Sequence, residues 1–169
     1  GTILESGLHA SVVSFAVGLT VLTVVGLTVT RIRLGLVRLL AALRSGEMPW
    51  WWAMGGVFGA LFIFSQSFTV GIIGVALFAV ALVSGQNLAS LIVDAVGLGP
   101  RGRQPVSVVR IASSTIGIVA VGIAVSGRVG EDSLSVPAVA LCVVAGIGVA
   151  IQQAINGRLT TISREPMAA

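Results

Sequence analysis

Five stretches of this chain, at about residues 9–30, 50–68, 72–94, 106–126 and 136–159, are almost free of charge. Each is long enough to cross the ~30 Å hydrocarbon core of a bilayer as a helix. In hydrocarbon the backbone N–H and C=O groups must be paired within the protein, so a spanning run of this length folds as a helix. Composition points the same way. Only 9% of the residues are charged and 56% are hydrophobic, against about 25% charged in a soluble domain. The expected fold class is all-α: a polytopic transmembrane helix bundle of five spans.

The segments between the spans set the orientation. Every basic residue is an arginine. Arg31, Arg33, Arg38 and Arg44 follow the first span, Arg101, Arg103 and Arg110 follow the third, and Arg158 and Arg164 end the fifth. The opposite side has only Arg128, beside Glu131 and Asp132. Basic residues gather on the cytoplasmic side of membrane proteins, so the arginine-bearing loops and the C-terminus are expected there. The arginines alternate with apolar runs and do not form one basic face, which excludes a nucleic-acid partner and leaves the lipid bilayer. Leu34, Leu36, Leu39, Leu40 and Leu43 fall between the first four arginines, the pattern of an amphipathic segment lying at the membrane surface.

Local signals mark the joints. Pro49 and Trp50-Trp51-Trp52 open the second span, and the three tryptophans read as an interfacial aromatic belt in preference to a substrate cage. Gly55 with Gly59, and Gly56 with Ala60, give small-xxx-small spacing for a close helix neighbour. Gly71 to Gly74 forms a tight uncharged connection, and Gly97, Gly99, Pro100, Gly102 and Pro105 break the chain again.

Polar residues inside the spans are the candidates for function. Gln86, Ser90 and Asp94 are four residues apart and share one face of the third span, with Asn87 beside them. Gln152 and Asn156 share a face of the fifth, with Gln153 adjacent. Polar groups at this depth must face protein, water or a ligand. Carboxamides offer donors and acceptors without charge, which suits both recognition of a polar small molecule and helix–helix hydrogen bonding. Asp94 stands near Arg101 and Arg103, where an interfacial ion pair is expected ahead of a buried carboxylate. Ser113, Ser114 and Thr115 are expected to bond back to their own helix. Cys142 reads as a small hydrophobe, and with His9 the only histidine there is no basis for a metal site. No nucleophile–base pair or phosphate loop is present, so neither an enzyme nor a cofactor is expected.

These residues carry a resemblance. The segment from Trp50-Trp51-Trp52 through Gly55-Gly56, Gly59, Ser65, Gly74, Gln86 and Asp94 resembles the core of the YdcZ-like inner-membrane exporters of the drug/metabolite transporter superfamily. Gly146-Ile147-Gly148-Val149-Ala150-Ile151-Gln152-Gln153-Ala154-Ile155-Asn156-Gly157-Arg158-Leu159 is similar to that family's first helix, and Ser14-Phe15-Ala16-Val17-Gly18 to the start of its second. The resemblance implies part of a ten-helix, two-repeat transporter of the bacterial inner (plasma) membrane. Residues 1–130 would be a first half-repeat lacking its first helix, and residues 131–169 the first helix of the second half. The partner would be the remainder of the transporter or a second copy of the chain. Small multidrug-resistance relatives place a membrane-embedded glutamate in the first helix. Here Gln152, Gln153 and Asn156 stand in that helix, and Asp94 is the one acid placed to gate or couple protons instead.

The expectation is a transporter exporting a small metabolite by alternating access, with Gln86, Asn87, Gln152 and Asn156 binding substrate. The alternative is a membrane scaffold, subunit or lipid-handling protein that transports nothing, in which those polar faces are spent on other helices.

Overall fold

The computed structural model describes residues 3–127 and 135–164, and every regular element among them is helical. These are α1 (Ile3–Thr28), α2 (Thr30–Ser45), a short 3-10 turn (Trp50–Met54), α3 (Gly55–Val96), α4 (Val108–Ser126) and α5 (Ser135–Ser163). The expected loop at Arg128, Glu131 and Asp132 and the tail from Glu165 lie outside the described residues.

The second and third expected spans are joined in α3. At 42 residues it would be ~63 Å long if straight, about twice the hydrocarbon thickness. It breaks at Gly74, whose φ of 79° and ψ of 159° suit a residue without a β-carbon. The contacts on α5 show that the chain folds back there. Gly55 and Gly59 lie beside Asn156 and Gln152, and Thr69 meets Cys142, so the first arm (55–73) runs antiparallel to α5. Ile73 and Leu77 cluster with Ala138 and Val139, Gly85 meets Val143, and Gly97 meets Arg158. The second arm (75–96) therefore runs parallel to α5. The expected Gly71–Gly74 connection is a helical hairpin with almost no loop.

This hairpin and α5 form the centre of the molecule. Ile73, Leu77, Phe78, Ala81, Leu82, Ala138, Val139, Cys142 and Ala145 make its main apolar core. The second arm and α5 cross at backbone contact: a methyl group on Gly85 would strike the Val143 carbonyl, and one on Gly146 the Leu82 carbonyl. Close approach of this kind replaces the hydrophobic effect as the source of helix association in lipid. Cys142 is fully buried and belongs to a small polar chain. Ser65 Oγ donates to its sulfur, its thiol donates to Thr69 Oγ1 at 3.2 Å, and Thr69 Oγ1 donates to the Ser65 carbonyl.

α1 and α4 flank this centre and leave most of their apolar surface uncovered. Val12, Leu19 and Leu27 on α1 and Val108, Ile116 and Ile123 on α4 are all exposed. Trp50–Val96, Val108–Ser126 and Val136–Ser163 are long and apolar enough to cross a membrane, and α1 qualifies when taken with α2 as one bent span.

The amphipathic arginine segment forms α2, bent 97° from α1 at Val29. It buries Ile32, Gly35 and Ala42, and Arg38 Nη1 donates to the Ser163 carbonyl at the end of α5, 3.0 Å away. Ala42, Met48 and Trp52 close a second apolar cluster with Ile155 and Leu159. α2, the loop after α3 and the last turns of α5 thus meet at one end of the molecule, the arginine end.

Candidate functional site

Two helices bring Gln86 and Gln152 together. Gln86 follows the Gly85 crossing on the second arm, and Gln152 sits opposite Gly59 of the first arm. Both line a groove of about 350 Å³ whose walls include Phe62, Ile63, Leu82, Val149 and Phe15 of α1. The Gly55/Gly59 spacing has a specific use here. A β-carbon on Gly59 would stand 3.2 Å from Gln152 Nε2, and one on Gly55 3.4 Å from Asn156 Oδ1. The two glycines make room for the two carboxamides. Gly56 and Ala60, the second small-residue pair, are exposed and Gly56 has no close neighbour.

Asn156 shares a helix face with Gln152 but opens elsewhere. It lines a groove of about 260 Å³ under α2, walled by Leu36, Leu39, Leu40, Leu43 and Met48. Asn87 opens into a third space, a polar pocket of about 410 Å³ towards the arginine end, with Gln86, Ser90, Asp94, Arg110 and Gln153. The stripe of Gln86, Ser90 and Asp94 therefore runs along one pocket, and Gln86 stands between that pocket and the apolar groove. Among the described residues, the side-chain amides of Gln86, Asn87, Gln152, Gln153 and Asn156 make no hydrogen bond. Ser90 Oγ bonds to the Asn87 carbonyl of its own helix, not to a neighbouring helix. Ser113 and Thr115 bond back within α4 as expected, whereas the expected bond of Ser114, which is buried, is not among those of the described residues.

Asp94 pairs with Arg110, not with Arg101 or Arg103. The turn explains the exchange. Gly97 ends α3 in the left-handed conformation, Leu98 N–H bonds to the Val93 carbonyl at 2.9 Å, and Gln104 N–H returns to the Asp94 carbonyl at 3.0 Å. The chain is thereby led back so that α4 starts beside the last turn of α3. Ser107 caps α4 by accepting from Arg110 N–H, while the side chains of Arg101 and Arg103 stay exposed in the loop. Each member of the pair is at the electrostatically unfavourable end of its helix. The carboxylate is in the last turn of α3, where the helix dipole makes the potential negative, and the guanidinium is in the first turn of α4, where it is positive. Each placement costs about 0.3–1 kcal/mol relative to the reverse.

Arg158 is a residue whose role the sequence did not reveal. Its Nε donates to the Leu98 carbonyl at 2.8 Å and its Nη2 to the Gly97 carbonyl, satisfying two acceptors of the turn that follows α3. Its guanidinium lies over the Trp52 ring, 5.4 Å from the centroid. Trp52 is accordingly buried, whereas Trp50 and Trp51 are exposed and free to serve as the expected belt. The available signals were the Arg158 that follows Gly157 and the helix-ending Gly97 it caps.

A bundle of helices long and apolar enough to cross a bilayer, with apolar sides turned outward, fits a membrane protein. The model of the family described as "Putative inner membrane exporter, YdcZ" matches residues 1–125, and the chain belongs to that family. No curated protein and no solved structure matches it.

Proposed function

We propose that the chain forms part of an exporter that moves a small metabolite across the inner membrane by alternating access, with Gln86 and Gln152 lining the substrate path. One observation carries this reading. Two carboxamides on different helices face one groove, and neither makes a side-chain hydrogen bond among the described residues. A scaffold would spend such groups on helix–helix bonds, because an unsatisfied polar group in hydrocarbon is costly. A transporter keeps them for a solute. Asn156 under α2 and Asn87 in the polar pocket are further substrate contacts, and Asp94 is a gate at the arginine end.

The larger architecture we propose is a two-repeat protein of ten helices. The family match ends at residue 125, just ahead of the boundary read at 130, which supports taking α5 as the opening helix of a second unit. The arginine end and the C-terminus face the cytoplasm.

The test is transport by the complete protein in proteoliposomes after a substrate screen with and without a pH gradient. Gln86→Ala and Gln152→Ala should each abolish transport while folded protein remains in the membrane. Unchanged transport by both variants would remove the assignment.

A further inference from the structure

We propose that the polar pocket at the arginine end binds a zwitterion, a small molecule with an ammonium and a carboxylate on the same carbon. Asp94 receives the ammonium and Arg110 the carboxylate. Calling this ligand a substrate rests on the transport reading above; the binding site does not.

The pocket has two fixed poles of opposite sign. Asp94 adds a negative charge to the negative end of α3, and Arg110 adds a positive charge to the positive end of α4. Ordinary stabilisation would place each on the other helix, so the arrangement strengthens both poles at the expense of the helices. The poles are held from behind. Gln104 N–H and the Gly97 turn fix the backbone of Asp94, and Ser107 fixes that of Arg110. Arg158 is engaged by the Gly97 and Leu98 carbonyls and does not compete for the carboxylate.

The two side chains are in direct contact, and both are partly open to the pocket, at 21% exposure for Asp94 and 40% for Arg110. A ligand that enters between them meets both at once, so its charges must be a few ångströms apart. An anion alone would gain Arg110 and face Asp94; a cation alone would gain Asp94 and face Arg110. A zwitterion exchanges one ion pair for two and adds no net charge to a site at the membrane boundary. The remainder of such a molecule meets the free carboxamides of Asn87, Gln153 and Gln86. The volume of about 410 Å³ is in the usual range for small-molecule sites.

The experiment is thermal unfolding of the complete protein in detergent with millimolar glycine, L-leucine or L-phenylalanine, and with L-leucinamide and N-acetyl-L-leucine as single-charge controls. At least one zwitterion should raise the melting temperature by several degrees, and neither control should. Asp94→Asn and Arg110→Gln should each lose the shift. No shift with any of the three zwitterions, or equal shifts with the single-charge forms, overturns the proposal on the unaltered protein alone, whatever the variants do. Efflux of the bound zwitterion from proteoliposomes is then measured separately. Binding without efflux leaves this site standing and counts against the transport reading. Efflux of another solute that depends on Gln86, with no zwitterion binding, does the reverse.

Discussion

Arg158 contributes in two ways at one point: it bonds the Gly97 and Leu98 carbonyls of the turn that follows α3 and covers the Trp52 face. Charged hydrogen bonds of this kind are worth about 1.5–3 kcal/mol, and a guanidinium over an indole adds about 0.5–1 kcal/mol. Arg158→Gln should therefore lower the unfolding free energy of the purified protein by about 2 kcal/mol. Arg158→Lys should fall between the two, since a point charge cannot bond both carbonyls with a planar fork. Equal stability of all three by thermal melting would show that the junction of α3 and α5 does not depend on it. At this scale the sequence marked Gln86 and Gln152 well, because a carboxamide within an apolar run is conspicuous. It did not reveal the partner of Asp94. Arg101 and Arg103 are nearer in sequence, but the Gly97 turn brings Arg110 back beside the carboxylate. Nor did it separate Trp52 from Trp50 and Trp51, which differ only in what folds over them.

The element on which the structure depends is the α3 hairpin and its crossing with α5. Gly74 holds a backbone conformation that costs other residues about 1–3 kcal/mol. Gly74→Ala should destabilise the protein by that amount and Gly71→Ala by less, as measured by unfolding in mild detergent. The crossing is more demanding. At Gly85 and Gly146 a side chain meets backbone, which cannot rotate away. Gly85→Ala or Gly146→Ala should cost at least the ~1–3 kcal/mol of an overpacked core, whereas Gly56→Ala, with open space around it, should be near neutral. A similar effect of all three on thermal stability would contradict the crossing. The spanning helices were legible from apolar length; of α2 the alternating leucines and arginines gave the amphipathic character, while the segment read as a loop and folds as a helix. Which glycines mattered was not. Gly55/Gly59 and Gly56/Ala60 have the same spacing, and only the position of α5 decides that the first pair faces Gln152 and Asn156.

Across the whole molecule, the hairpin and α5 form a packed centre while α1 and α4 present apolar sides outward. That distribution suits lipid or further helices around the packed centre. The class of protein was legible because charge was scarce along the entire chain. The grooves were not, because they arise from three helices meeting and no local pattern records that. Orientation is open to a direct check. Single cysteines at Gly46 and Gly102, in a Cys142→Ser background, should react with an impermeant maleimide only from the cytoplasmic side, and labelling of intact cells from outside would reverse the assignment. The most direct measurement of the central claim uses the same background, with one cysteine at Gln86 or Gln152 and controls at the buried Ala81 and Ala145. Cysteines at 86 and 152 should react with a small charged thiol reagent, be protected by a transported solute, and far outpace the controls. Cysteines at both positions as unreactive as those at Ala81 and Ala145 would contradict a solvated path between α3 and α5.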